Sequence, residues 1–545
     1  MAGHVHRQDA DDADDTDDTI DPDATPASPS SSIQWRPVLV VWAVLFTLGF
    51  GISVAYAPQT RIYEDIICRK YYSRKPPASP PTLDIITNLN PLPLRTDLVH
   101  RRDTADDDSD ERRCKAPPIQ DAVNELFGWQ TFFDGIPGLL LAVYYGSLAD
   151  RIGRRPVLAL SLFGMALGAA FTLFVCWIEA DVRLSWLSAV FTCVGGGNTV
   201  VTAASMMMVA DATPEASRAR VFFFSGNFLV VGTMLGPPVG AVLMERDPWV
   251  PNGIGFLCMV LAPLIAWLGP ETLGGKIVGE QREGEEEETE TEGEVMEGTG
   301  RVRAVYEVWK HAASTLGFVF GSRGLAVLVG TYFTVDFARE SLSLVVRYVS
   351  ARFDIPLARA SYILSFRATG TLIATTVLLP VLDAVLARRY ETSPTRKDMS
   401  LARISILLVI LGYAILVLSP GIVGIFVGVG FYTLGSGFQV AIKSLLSSLV
   451  DKAILGTVFT TLSLMDTVGA LFAGPIDALV MKWALRMEGV WKSLPFMFAL
   501  GLCSVSACAL MSVSVDGEVV LLESESAPLL VEGTGPTEGA REPRT

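Results

Sequence analysis

Six charged residues stand in stretches that are otherwise apolar: Asp134, Asp336, Arg339, Glu340, Arg367 and Asp466. A charge at the centre of a bilayer costs about 2.5–3.5 kcal/mol on insertion scales, so such groups face a cavity or a partner. Asp336, Arg339 and Glu340 are separated by three and four residues, which puts all three on one face of a helix. Two kinds of chemistry fit these groups. A desolvated carboxyl can take up a proton and release it when a helix movement brings an arginine closer. Alternatively Arg339 or Arg367 simply neutralises Asp336, Glu340 or Asp466, and the network is structural. The four histidines, His4, His6, His100 and His311, all lie in polar stretches, so proton transfer within the apolar ones must use carboxylates. Asn198, beside Gly195-Gly196-Gly197, is one further polar candidate for binding. Lys443 lies near the end of an apolar stretch and is expected to snorkel to the surface. No nucleophile–base pair, metal-ligand spacing or phosphate-binding loop is present, which argues against an enzyme, a metal site, a cofactor or an ATP-driven pump.

The elements that would position these residues are membrane spans. Half of the 545 residues are hydrophobic, and the mean hydropathy is +0.40. A bilayer core of about 30 Å needs about 20 apolar residues in a helix. Twelve stretches qualify: 37–57, 127–148, 156–178, 184–209, 219–244, 250–269, 324–348, 357–382, 401–419, 421–448, 453–478 and 491–513. The expected architecture is all-α, twelve helices in two parallel halves of six, since a bilayer offers backbone groups no water and no barrel-like alternation occurs. The halves are 37–272, which includes a hydrophilic outer loop at 58–126, and 316–513. An acidic linker at 273–315 joins them, with a short lateral helix expected at 311–321. Acidic tails at 1–36 and 514–545 flank the whole and are expected to be disordered. The formal net charge of −15 comes largely from Asp9–Asp23, Glu280–Glu297 and the last tail, so it gives no support to a nucleic-acid partner.

Basic residues in short loops mark the cytoplasmic side. The loops around Arg151–Arg155, Asp211–Arg220 and Arg388–Arg403 therefore face the cytoplasm, although Arg347, Arg352 and Arg359, and Lys482, Arg486 and Lys492, flank loops assigned to the other side. Of seven cysteines, five lie in apolar spans, while Cys68 and Cys114 fall in the first outer loop. If that loop lies outside the cytoplasm, the two can form a disulfide. The tail carries Glu525-Ser-Ala-Pro-Leu529-Leu530, an acidic dileucine pattern used in endosomal and vacuolar sorting.

The stretch Gly146-x-x-x-Asp150-Arg151-x-Gly153-Arg154-Arg155 resembles the loop between the second and third helices of the major facilitator superfamily. The resemblance implies a conformational latch: Asp150 faces the N-terminal end of the eleventh span, and the arginines pair with Asp211 or Glu215. Gly232-x-x-x-Gly236-Pro237-Pro238-x-Gly240 is similar to the signature of proton-coupled exporters in that superfamily, with small residues that let helices approach closely. Phe191 and Val194 stand where such exporters usually carry an arginine and a glutamine, a departure from the antiport pattern. The long first loop, the Arg113-Cys114-Lys115-x-Pro117 run and residues 136–155 are similar to fungal general substrate transporters of the family.

The resemblance implies a monomeric multi-pass protein of the plasma membrane or of a vacuolar or endosomal membrane. It would move a small organic substrate by alternating access, with proton-coupled efflux expected first. Proton-coupled uptake is the alternative, and a receptor or sensor that binds without transport is a reading from a different class.

Overall fold

The computed structural model describes residues 33–74, 111–272, 323–389, 394–449 and 452–513. Most of the N-terminal tail, the middle of the first outer loop, the linker with its expected lateral helix, and the C-terminal tail with its dileucine pattern lie outside the described residues.

Among the described residues, twelve helices lie in two sets of six. In the first half they are α1 (Trp35–Arg74), α2 (Pro117–Ile152), α3 (Arg154–Trp177), α4 (Val182–Ala212), α5 (Glu215–Met244) and α6 (Trp249–Leu268). The second half contains α7 (323–353), α8 (357–389), α9 (Pro394–Leu418), α10 (422–449), α11 (Lys452–Ala484) and α12 (Gly489–Ser512). Ten of these are long and apolar enough to cross a membrane; α7, with its three charges, and α11 complete the set. Large apolar side chains such as Trp177, Leu268, Leu418 and Val423 point outward, as a surface facing lipid chains requires.

Backbone proximity holds the first half together. α1 packs along α5 and α6, and the glycine row of α5 makes this possible. A Cβ at Gly232 would lie 2.5 Å from the Phe46 carbonyl oxygen, and one at Gly236 would lie 2.8 Å from the Val54 nitrogen. Gly240 meets the Val54 carbonyl just as closely. Only a residue without a side chain permits such an approach.

Three features depart from the sequence expectation. The first outer loop does not begin at 58 or end at 126, because α1 runs on to Arg74 and α2 starts at Pro117. These extensions are amphipathic: Ile62, Tyr63 and Ile66 pack with Leu126, Cys176 and Val182, while Arg61 pairs with Asp65 at 3.5 Å. Polar residues on the opposite face lower the average hydropathy and hide the helix. Second, α4 is not continuous. Gly195, Gly196 and Gly197 adopt φ of +94°, +81° and +66°, a left-handed run that ends one helical segment and starts the next. Third, short turns of other pitch interrupt α7 at Leu342–Leu344, α8 at Ala374–Leu378 and α10 at Gly435–Gly437. In membrane helices, such interruptions are tolerated where they line a cavity or meet protein.

The halves meet along α2 with α11 and along α5 with α8. A Cβ at Gly128 would lie 2.6 Å from the Gly474 carbonyl oxygen, Phe132 contacts Phe472 with ring centroids 5.9 Å apart, and Gly135 sits against Leu471. Tyr56 in α1 donates a hydrogen bond to the Ser343 carbonyl in α7 at 3.0 Å.

Candidate functional site

Two cavities lie between the helices. One, of about 460 Å³, belongs to the first half and is lined by α1, α2, α3, α4 and α6. The other, of about 440 Å³, is lined mainly by α7, α8 and α10, with α1 and α5 closing its near side. Both include Ile52 and Tyr56, so α1 forms the wall they share. Volumes of this order suit a drug-sized molecule.

In the first cavity the one charged lining residue is Asp134. The Gln130 amide donates to its Oδ2 at 3.0 Å and to Ser188 Oγ at 2.8 Å. Among the described residues no cation lies within ion-pair distance of Asp134. Asn198 lines the same cavity because the left-handed glycine turn brings the start of the second α4 segment to its edge. Its side chain makes no hydrogen bond among the described residues.

The second half concentrates charge. Arg339 Nη2 lies 2.8 Å from Asp336 Oδ1 and 3.5 Å from Glu340 Oε1. Gln439 Nε2 donates to the same Asp336 oxygen at 2.5 Å, and Asp336 is fully buried. Asp466 accepts from the Tyr332 hydroxyl at 2.9 Å and lies 3.9 Å from Lys443 Nζ. The Lys443 side chain is 43% exposed, and its amine also reaches Asp466 and sits 5.4 Å from the centre of the Tyr332 ring. Asp477, which the sequence reading passed over, is buried and accepts from Ser341 Oγ at 2.8 Å. Arg367 is different. Its side chain lines the second cavity, and its guanidinium makes no hydrogen bond or ion pair among the described residues. The structure thus brings Asp336, Arg339 and Glu340 together, places Asp466 in a separate pair, and, among the described residues, leaves Asp134 and Arg367 each without an opposite charge.

At the basic-loop face, Arg154 is the organising side chain. It lies 2.7 Å from Asp211 Oδ2 and donates to the Met207 carbonyl at 2.9 Å. Asp150 lies 3.6 Å from Arg154 and is 63% exposed. Its partner among the described residues is thus on its own loop, where the resemblance implied the end of α11. Gly146 has open space around it, also among the described residues. Gly153 takes φ +106°, and a Cβ there would fall 2.6 Å from Glu271. That space lets Glu271 accept from the Arg154 and Arg155 backbone N–H groups at 3.0 and 3.2 Å, capping the start of α3. Arg155 stacks on Trp267 at 5.1 Å and donates to the Gly269 carbonyl, while Arg151 is exposed. The Glu215 side chain lies outside the described residues.

At the opposite face a second set of contacts spans the halves. Cys68 and Cys114 are bonded, which fixes residues 111–116 to the extension of α1. From there Glu111 accepts from the Leu357 N–H at the start of α8 at 3.0 Å, and it pairs with Lys115 at 3.1 Å. Lys115 also pairs with Glu64 at 3.1 Å, and Gln120 donates to Glu64 at 2.7 Å. Arg112 lies 3.6 Å from Asp354, and Arg486 lies 3.7 Å from Asp121. Nothing in the spacing of Glu111 announced this role, because its partner is a backbone group 246 positions away.

Residues 116–474 match the family described as Major Facilitator Superfamily. An MFS efflux pump, atnC, of Emericella nidulans is 32% identical over 484 residues, covering 88% of each chain. Efflux pump ustT of Aspergillus flavus is 25% identical, covering 82% of this chain and 83% of that one. Among solved structures, the human organic anion transporter MFSD10 aligns with a TM-score of 0.52 at 16% identity, over 89% of this chain and all of its own. A D-xylose–proton symporter aligns with a TM-score of 0.54 at 13% identity, over 88% of this chain and 98% of the other. Likeness at that identity speaks to fold alone.

Proposed function

The chain belongs to the major facilitator superfamily, whose members are membrane transporters, and from that premise we propose that it exports a small organic molecule in exchange for protons. The observation that carries export is the likeness to a fungal efflux pump along nearly the whole chain. The exporter-like glycine row, seated on α1 as described, supports it. Alternating access supplies the mechanism: one pair of cavities, exposed first to one side and then to the other by rocking of the two halves. The outer contacts around Glu111, Arg112 and Asp121 belong to the state that faces the cytoplasm, and the loop around Asp150 would close that face in the other state.

The proton falls first to Asp134. Asp336, Glu340 and Asp466 each have a cation within 4 Å, so they read as members of internal pairs. Asp134 has only an amide, and it faces the cavity where substrate would come and go. A carboxylate without a fixed cation can exchange its proton whenever the site changes sides.

The test is proton flux in proteoliposomes, with internal pH reported by trapped pyranine while a library of small organic molecules is added. Expected are compounds whose movement drives protons the opposite way, and an Asp134→Asn variant that retains substrate exchange but loses coupling to the pH gradient. Protons moving in the same direction as substrate would replace export by uptake. Unaltered coupling in Asp134→Asn, with loss in an amide variant of Asp336, Glu340 or Asp466, would move the proton to that residue.

A further inference from the structure

We propose that the substrate is an organic anion and that Arg367 holds its acidic group; this assignment rests on the transporter reading above and names its substrate class. The second cavity contains two arginines and no lining carboxylate. Arg339 is already matched, with Asp336 at 2.8 Å and Glu340 at 3.5 Å. Arg367 projects from the middle of α8 into the same space with no ion pair or hydrogen bond of its own among the described residues. An arginine at this depth is costly without a counter-charge; in this half Arg339 and Lys443 have carboxylates within 4 Å, and the buried Arg347 lies over the Phe127 ring, outside this cavity's lining. The missing partner is then something that enters the cavity.

The surroundings define that partner further. A guanidinium presents a planar fork that matches two oxygens of a carboxylate, sulfonate or phosphate ester. Thr371 and Thr375, one and two turns along α8, line the cavity beside Arg367, and Ser436 lines it from the α10 turn. The Ser436 hydroxyl, without a partner among the described residues, can donate to the same acidic group, while the Thr371 and Thr375 hydroxyls donate to the Arg367 and Thr371 carbonyls. Around them Tyr56, Tyr432, Leu364 and Phe438 give the cavity an apolar and aromatic wall. An acid with an aromatic or apolar body fits this lining, and the first cavity, reached past Ile52 and Tyr56, offers room for the rest of a larger molecule.

The experiment uses the purified full-length protein and one scaffold in five forms: naphthalene bearing a carboxylate, a sulfonate, a phosphate ester, a carboxamide or an aminomethyl group. Binding is read from quenching of intrinsic tryptophan fluorescence and from the shift in melting temperature. At least one acid is expected to bind, and the carboxamide and amine to bind at least tenfold more weakly; which acid binds best identifies the oxyanion. Arg367→Gln should weaken that acid about 10- to 100-fold, the worth of a hydrogen bond to a charged group, and Arg367→Lys should recover part of the loss. Equal binding of the amine or carboxamide, binding by none of the acids at millimolar concentration, or unchanged affinity in Arg367→Gln would overturn the assignment. Should Arg367→Gln fail to give monodisperse protein, the wild-type ranking of the five probes decides alone. Flux of the bound probe in proteoliposomes is scored separately. Binding without flux removes the transport reading and leaves the anion site standing, whereas flux confined to the amine keeps the transporter and removes the site.

Discussion

The two cavities are of nearly equal size and differ in the charge around them. Around the first, the half is assembled by close backbone contact: Gly232, Gly236 and Gly240 of α5 lie against α1, and one carboxylate, Asp134, is held by an amide. Around the second, charge clusters on α7, where Arg339 lies among Asp336 and Glu340, and Gln439 and Lys443 of α10 reach across to Asp336 and Asp466. Glycine contacts have one geometry and fail if anything is added. Ion pairs can exchange partners when helices shift. Close glycine contacts occur in the second half too, where a Cβ at Gly412 of α9 would lie 2.6 Å from the Tyr432 nitrogen, so what sets that half apart is its interior charge.

The sharpest way to break this comparison is to remove Arg339. Arg339→Gln leaves Asp336 fully buried without its cation, a change expected to cost about 3 kcal/mol. Adding Asp336→Asn should recover most of it, and a double-mutant cycle on melting temperatures reads the difference. If the single variant melts like the wild type, charge pairing does not hold the second half. Next in size is Gly232→Ala, whose new Cβ would meet the Phe46 carbonyl at 2.5 Å and should cost about 1–3 kcal/mol. The matched control is Gly430→Ala in α10, where the nearest atom is 3.7 Å away and the change should stay within about 0.5 kcal/mol. Similar losses at both glycines would show that close approach to α1 is not what Gly232 provides. The smallest stability effect belongs to Asp150→Asn: at 63% exposure and 3.6 Å from Arg154, its pair is worth less than about 0.5 kcal/mol. Under the proposed latch role, transport by this variant should nonetheless fall sharply. Full flux at wild-type protein levels would end the latch role.

What could be read from the sequence follows the same division. The loop around Asp150 and the glycine row of α5 are local patterns, so they were visible as spacing, and the twelve spans followed from apolar length. The interior charges were visible as residue types because charge in an apolar stretch is rare. The grouping of Asp336, Arg339 and Glu340 followed from their spacing along α7, but the pairing of Asp466 did not, since it depends on how α10 and α11 are rotated about their axes. Lys443 shows this: one residue near a helix end reads as an anchor until the register of α10 turns it toward Asp466. Gln439 and Glu111 carried no signal, because an ordinary polar residue becomes important only through a distant neighbour. The ends of α1 and α2 were misplaced for a simpler reason. Amphipathic helix outside the apolar layer averages to the hydropathy of a loop.

The bond between Cys68 and Cys114 bears on how this surface can change over evolutionary time. It closes a segment of the chain at its base, with a separation of 46 residues between the two sulfurs' positions. Whatever sequence occupies the interval, the two ends enter and leave at fixed points beside the start of α8. Lengthening such a closed segment costs little, about 0.6 kcal/mol per doubling in an open chain and less once its ends are pinned. Insertions there need not disturb the contacts beneath them. This is a place where the chain can change over evolutionary time, and where an engineer can splice in a rigid fiducial domain for imaging while the helices keep their register.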